Sequence, residues 1–139
     1  MWAILARNQR IYEVREANEA LPRVRRLVGQ VAELSVQLPE LQDQMRIAEY
    51  RMRRPGAVAA EADRFEQAAA ALKATEEDLA GAVLALDDMG VVLKQPLEGL
   101  VDFYSYRDGE LVELCWKLGE ERVAHWHRIG EGFPGRKPL

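Results

Sequence analysis

The sequence predicts an α+β protein, in which a long antiparallel two-helix coiled-coil hairpin carries a small C-terminal antiparallel β-meander. Apolar residues recur at steps of three and four from Val24 to Met89, and the pair Pro55-Gly56 interrupts this run near its middle. From Val91 onward, apolar and polar residues alternate instead. Steps of three and four residues are typical of a helical seam, and alternation is typical of a strand. Together the two patterns predict the fold class.

The helical part is predicted to consist of two helices at about residues 22–54 and 58–89, separated by the proline–glycine break. Charge agrees with an antiparallel pairing of the two. Residues 1–54 contain 10 Arg and 7 acidic residues, whereas residues 55–90 contain 2 basic and 8 acidic residues. Opposite net charges favour this pairing over slipped registers of like charge.

The predicted seam is described by its apolar positions, with one threonine among them: Val24, Leu27, Val31, Leu34, Leu38, Leu41, Met45, Ala48 and Met52 in the first helix, and Phe65, Ala68, Leu72, Thr75, Leu79, Ala82, Leu86 and Met89 in the second. Large residues on one helix often face small residues on the other in this register. Such alternation is what a close-packed seam requires.

The segment 10–21, which precedes the hairpin, is expected to hold a short strand and a short helix. Extended structure is indicated within residues 1–14, with a strand around residues 10–14, by Ile4, Leu5, Ile11, Tyr12 and Val14. Pro22 then either kinks the short helix into the long one or occupies the first position of the long helix, where its missing N–H costs nothing. Gly90 is the expected stop of the second helix.

Residues 90–139 are expected to form the sheet and an irregular tail, within a single domain that spans residues 1–139. The pair Asp108-Gly109 is typical of a tight hairpin turn between two strands. A further strand is predicted at 122–127.

The period of two also assigns residues to the two faces of that sheet. One face is apolar and should lie on the helices: Val101, Phe103, Val112, Leu114, Trp116, Ala124 and Trp126. The other face collects the chemically versatile residues: Asp102, Tyr104, Glu113, Cys115, Val123, His125 and His127.

Composition excludes several classes of protein. The chain is 48% hydrophobic and 30% charged with a net charge of −4, so it offers no overall basic field to nucleic acid or membrane. Its one cysteine, Cys115, allows no internal disulfide. No apolar run approaches the ~20 residues of a membrane-spanning helix. We expect a cytoplasmic protein.

The polar face predicts a metal site. His125 and His127 stand two residues apart on a strand and point the same way, and Asp102 and Cys115 share their face, as does Glu113. These residue types form tetrahedral sites for divalent metals such as zinc. We therefore predict a metal site at Asp102, Cys115, His125 and His127, which would support metal-dependent hydrolysis. The alternative is a solvated sheet face without a ligand.

Cys115 has a second interpretation as a nucleophile, with His125 as its base and Asp102 as the group that orients the base. The alternative is a small packing residue, which is the more common role of a cysteine in mid-strand.

Two arginine-rich regions raise the hypothesis of anion or nucleic-acid binding. Arg51, Arg53 and Arg54 lie next to the predicted hairpin tip, and Arg23, Arg25 and Arg26 lie near its base, so both clusters could contact phosphates. In the tail, Arg136 and Lys137 are candidate anion contacts. For the tip, the alternative is pairing with the acidic second helix. For the tail, Gly130–Gly135 spells a phosphate-loop pattern, but no helix can follow it, so we interpret the match as coincidence.

Self-association is the leading functional prediction. Apolar residues remain outside the predicted seam at Val36, Ile47, Val83 and Leu84. A two-helix hairpin buries one stripe per helix, so these residues favour a second copy of the chain packed into a four-helix arrangement. The sequence alone thus favours a non-enzymatic, homodimeric scaffold or interaction module, with metal binding and nucleic-acid binding as alternatives.

The chain resembles the bacterial "domain of unknown function 2203" family. The resemblance is carried by motifs at both ends: Tyr12, Glu16-Ala17-Asn18, Leu21-Pro22, Gly99–Phe103, Leu114–Glu120, Trp126-His127 and Gly135–Leu139. It implies a small bacterial cytosolic protein and implies no activity or catalytic residues. Glu13 stands where the family has threonine, which removes an expected helix cap.

Overall fold

The computed structural model describes residues 10–139. It contains two helices and a five-stranded sheet, confirming the predicted α+β class. The elements are α1 (Val14–Arg53), α2 (Ala59–Asp88), β1 (Val91–Gln95), β2 (Leu100–Arg107), β3 (Glu110–Lys117), β4 (His125–Arg128), a 3-10 turn (Phe133–Gly135) and β5 (Lys137–Pro138). The predicted extended residues Ile4 and Leu5 lie outside the described range.

The hairpin packs through the stripe that the sequence predicts. Every predicted seam position from Val24 to Met89 is buried or half-buried along α1 and α2. Val24, Val31 and Leu86 are the most deeply buried of them. The helical period therefore identified the face that each helix turns toward its partner.

Helix α1 begins at Val14, earlier than the predicted start at residue 22. Pro22 consequently lies inside the helix, and the alternative that placed it at the first helical position is wrong. Ala17 and Leu21 are buried in the core, which favours the longer helix despite the missing proline N–H. The predicted loss of a cap is also compensated, because Glu16 Oε1 accepts the backbone N–H of Glu13 at 3.0 Å.

The sheet has the order β1-β2-β3-β4-β5, with all neighbours antiparallel. The turn between β2 and β3 has positive φ at Asp108 (52°) and Gly109 (79°), as the sequence predicts. The predicted strand at 122–127 is shifted to β4, and the tail is more ordered than predicted because β5 pairs with β4. From the N-terminal segment, Ile11 forms a single parallel bridge to Tyr104.

One face of the sheet forms a continuous core with the base of the hairpin. Val101, Phe103, Leu114 and Trp116 pack there with valines of α1, and each is at most 2% exposed. Val123, predicted on the opposite face, belongs to this core instead. It precedes β4, where strand alternation does not apply.

The family motif residue Asn18 attaches α1 to the loop before β4. Its Oδ1 accepts the backbone N–H of Val123 at 2.8 Å, and its Nδ2 donates to the backbone carbonyl of Val123 at 3.2 Å. A buried loop must satisfy its backbone polar groups, and this side chain satisfies two of them.

The surplus apolar residues of the hairpin remain at the surface. Val36 and Leu84 are 66% and 61% exposed, and Ile47 and Val83 are exposed as well. Within residues 10–139, neither helix is both long enough and apolar enough to cross a membrane.

Candidate metal centre

The polar face of the sheet is buried, contrary to the alternative of a solvated face. Asp102, Glu113, Cys115 and His127 are each at most 2% exposed. Gly130, Gly132, Phe133 and Pro134 of the tail contribute to the wall of a cleft beside this face. Four polar side chains are therefore removed from water on the side of the sheet opposite the apolar core.

Strand register brings three of the predicted ligands together. Asp102 on β2 lies directly opposite Cys115 on β3, and His127 on β4 lies opposite Glu113 on β3. His127 reaches across β3, so that its Nε2 lies 3.1 Å from Asp102 Oδ1. The ligand atoms of Asp102, Cys115 and His127 all lie within 4.8 Å of one another.

The hydrogen bonds of His127 define which nitrogen faces the cluster. Nδ1 lies 2.8 Å from the backbone carbonyl oxygen of Arg128, and because a carbonyl can only accept, Nδ1 carries a proton and donates it. Nε2 and Asp102 Oδ1 then face each other at 3.1 Å, and a proton or a metal cation must lie between them. An imidazole that donates from one nitrogen to a backbone carbonyl is typical of a metal-bound histidine.

Glu113 adds a second buried carboxylate beside this cluster. Its Oε2 accepts no hydrogen bond from the described residues, although Lys94 Nζ lies 3.3 Å away. Burial raises the pKa of the Glu113 carboxyl, and the nearby charge of Asp102 raises it further. Glu113 lies outside the three-residue group whose ligand atoms are mutually close.

Lys94 supplies positive charge at the edge of the cluster. Its Nζ lies 3.3 Å from Glu113 Oε2 and 3.8 Å from Asp102 Oδ2. The register between β1 and β2 shifts at this residue, and such β-bulges redirect side chains. Partial burial acts to lower the pKa of Lys94, but the charges of Glu113 and Asp102 outweigh it and raise the pKa, so Lys94 is a cation.

Cys115 is a poor nucleophile in this setting. Burial raises the pKa of its thiol to about 12, and the charge of Asp102 adds to the effect. The thiolate is the reactive form of cysteine, so the geometry does not support the nucleophile hypothesis. The predicted base, His125, is also directed elsewhere.

His125 is the predicted ligand that the structure separates from the others. Its Nδ1 accepts a hydrogen bond from Arg136 Nη2 at 2.6 Å and lies 3.8 Å from Glu120 Oε2. The same arginine nitrogen lies 2.7 Å from Glu120 Oε2. His125 therefore belongs to a network with Arg136 and Glu120, and three of the four predicted ligands converge without it.

The tail cations predicted as anion contacts are already paired with carboxylates. Arg136 binds Glu120, and Lys137 Nζ lies 3.1 Å from Glu131 Oε1. These interactions fix the tail and leave its positive charge neutralised. They do not favour an anion site there.

The arginines near the hairpin tip lie at the surface. A shallow depression at the end of α1 is lined by Arg46, Tyr50, Arg53, Arg54 and other residues there. Arg53 pairs with Glu49 of its own helix at 3.0 Å. Arg53 therefore pairs within α1, whereas the alternative from the sequence is pairing of the tip arginines with the acidic helix α2.

A cleft of about 430 Å³ opens beside the metal-ligand cluster. Its floor carries Asp102, Glu113 and His127, and Lys94 lies at its edge. Phe133 and Pro134 of the tail form an apolar part of the wall. A cleft of this volume lies within the range of small-molecule binding sites.

Lys94 is the site residue that sequence reasoning missed, and a signal for it was present. The alternation that begins at Val91 places Val92 opposite Asp102 and Lys94 two residues further on the same face. Extending the assignment of faces to β1 would have placed this lysine next to the acidic residues.

The family relationship is established by comparison with known proteins. Residues 10–139 match a family model described as "Uncharacterized conserved protein (DUF2203)". No curated protein and no solved structure shows a significant match to the chain. The match covers both helices, all five strands and every residue of the candidate metal centre, so the chain belongs to the DUF2203 family, as its motifs predicted.

Proposed function

We propose that this protein binds a divalent metal ion of the zinc class through Asp102, Cys115 and His127. The observation that carries the proposal is the mutual approach of one carboxylate oxygen, one thiol sulfur and one imidazole nitrogen within 4.8 Å in a buried site. Oxygen, sulfur and nitrogen ligands of these types are those that Zn²⁺ prefers.

The distances support a tetrahedral site. With metal–ligand bonds of about 2.0 Å, two nitrogen or oxygen ligands of a tetrahedral ion lie about 3.3 Å apart. The separation of His127 Nε2 and Asp102 Oδ1 is 3.1 Å, so little movement is needed for both to bind one ion. The bond from His127 Nδ1 to the Arg128 carbonyl already orients the ring for this role.

Charge balance supports the same set of ligands. One carboxylate and one thiolate together neutralise a divalent cation, and the imidazole binds as a neutral ligand. The ion would displace the proton from the Cys115 thiol, since a coordinated thiol is deprotonated outright, and would take the place of the proton between His127 Nε2 and Asp102 Oδ1. Glu113 and Lys94, 3.3 Å apart, balance each other separately.

Cobalt substitution tests the proposal. Protein purified in chelator and titrated with Co²⁺ should develop a thiolate-to-cobalt absorption band with a stoichiometry of about one ion per chain. Cys115→Ser should abolish the band, and His127→Ala should weaken binding by at least about tenfold.

His125→Ala is the matched control, because His125 is the neighbouring histidine that contacts Arg136 instead. It should bind Co²⁺ like the unmodified protein. Equal Co²⁺ binding by the unmodified protein and the Cys115→Ser variant would refute the proposal.

Homodimerisation is a second candidate function. Val36 and Leu84 are 66% and 61% exposed on the hairpin, and Ile47 is exposed on α1. A second copy packed against the hairpin would cover such residues. Light scattering at tens of micromolar tests this candidate: a dimer that dissociates in the variant Val36→Glu supports it, and a monomer under these conditions contradicts it.

A further inference from the structure

We propose that the metal centre is hydrolytic, with a water molecule at its fourth position, Glu113 as the proton acceptor for that water, and a small acyl ester or amide as substrate. This inference rests on the proposed metal site. It gives the cleft a reaction. It also gives Glu113 and Lys94 roles that metal binding alone does not require.

The fourth position is open because the protein supplies three close ligands. Structural zinc sites have four protein ligands, whereas catalytic sites have three and leave the fourth for water or substrate. Asp102, Cys115 and His127 are the three mutually close ligands, and two of them line the cleft. A metal held by these side chains therefore lies against the floor of the cleft.

Glu113 is placed to bind that water. Its carboxylate lies on the same face, is 2% exposed, and lines the same cleft. Oε2 has the Lys94 ammonium 3.3 Å away and no partner in hydrogen-bond geometry among the described residues, so this buried atom can accept a further donor from the cleft. Glu113 is not one of the three residues whose ligand atoms are mutually close, so we assign it to the water rather than to the metal.

Lys94 adds a positive charge beside Glu113 and the proposed metal ligands. Its Nζ lies 3.3 Å from Glu113 Oε2 and places a positive charge beside that carboxyl group. The lysine is the cation among the residues that line the cleft, and it is accessible from solvent. It can therefore also donate a hydrogen bond to the oxyanion that forms when water adds to a carbonyl.

The reaction balances with water as the co-reactant. Glu113 accepts one proton from the metal-bound water, and the resulting hydroxide forms a bond to the substrate carbonyl carbon. The tetrahedral intermediate then breaks the bond to the alcohol or amine, which leaves with the proton returned by Glu113. The products are a carboxylic acid and an alcohol or amine, and no electrons are gained or lost.

Substrate size follows from the cleft. About 430 Å³ accommodates a small molecule, with Phe133 and Pro134 available for its apolar part. Gly130 and Gly132 of the tail form the adjoining part of the wall.

The experiment uses the full chain loaded with Co²⁺, with acetohydroxamate as the probe of the open position and 4-nitrophenyl acetate as the test ester. Acetohydroxamate should change the visible spectrum of the bound cobalt, and ester hydrolysis should depend on the metal. Glu113→Gln should retain Co²⁺ and lose at least about 100-fold in hydrolysis rate, the usual contribution of a positioned base.

Glu110→Gln is the matched control, because it makes the same change at an exposed position of the same strand. It should keep the full rate. Absence of Co²⁺ binding would refute the proposed metal site itself. If Co²⁺ binds but acetohydroxamate does not change its spectrum, the metal site is supported and the hydrolytic inference is overturned. Equal hydrolysis rates for Glu113→Gln and Glu110→Gln would have the same meaning.

Discussion

The central residues of both sheet faces are buried to a similar degree, but those of one face are apolar and those of the other are polar. On one face, Phe103 and Trp116 pack against the hairpin and are fully buried. On the other, Asp102 and His127 are at most 2% exposed beside the cleft. Burying a large apolar side chain stabilises a fold by about 1.5–3 kcal/mol, whereas a buried ion costs several kcal/mol before its partners compensate. The apolar face therefore supplies the stability, and the polar face needs a different explanation, which the proposed metal site would provide.

The largest expected effect is on the apolar face. Phe103→Ala should lower the free energy of unfolding by about 3–5 kcal/mol, because it leaves a cavity in a close-packed core. Phe133→Ala, the same change on the partly exposed wall of the cleft, should cost less than about 1 kcal/mol. Urea denaturation measures both. Similar losses at the two positions would mean that the apolar face does not hold the fold together.

A smaller effect is expected from the buried contact between Asp102 and His127, because its two partners are interdependent. Asp102→Ala and His127→Ala should each cost about 3 kcal/mol, since each leaves an unpaired buried group. The double variant should cost less than the sum by about 2 kcal/mol. The exposed pair Arg128–Glu110, 3.6 Å apart, is the control and should show a coupling below about 0.5 kcal/mol. Additive losses at Asp102 and His127 would contradict the assigned contact.

The smallest effect is expected for an exposed carboxylate outside both faces. The hydrogen bond from the Glu13 N–H to Glu16, with further help from Arg10, lowers the pKa of Glu16. The folded pKa thus lies below the unfolded value of about 4.3, so the contribution to stability is present above that pH and is lost as the pH falls through the folded pKa.

The variant Glu16→Ala should accordingly have a lower Tm than the unmodified protein at pH 7, with a difference that shrinks below about pH 4. Circular dichroism melts between pH 3 and 7 measure the difference. Gln37→Ala, at an exposed position of the same helix, should show no such pH dependence. A Glu16→Ala difference that is constant with pH would rule out the assigned cap.

Local periodicity was sufficient to predict much of this structure. The seam from Val24 to Met89 and the two faces of β2 and β3 follow from repeats of 3.5 and 2 residues, which each element carries within itself. The sequence predicts too late a start for α1, because Pro22 is typical of a helix boundary. The burial of Ala17 and Leu21 instead favours a helix that begins before Pro22.

The composition of the site depended on contacts that are distant in sequence. Alternation places His125 and His127 on the same face and cannot distinguish between them. His125 is directed away by Arg136, and His127 is directed inward by the carbonyl of Arg128 and by Asp102, 25 residues earlier. The burial of the polar face likewise depends on where the tail lies, which no local repeat specifies.

The most direct test of the central claim is a crystal structure of the zinc-loaded protein with diffraction data collected on both sides of the zinc absorption edge. We predict an anomalous peak about 2.0–2.3 Å from Asp102 Oδ1, Cys115 Sγ and His127 Nε2. The Nδ1 of His127 should still donate to the carbonyl of Arg128. A peak elsewhere on the chain, or a polar face with no peak at saturating zinc, would contradict the account.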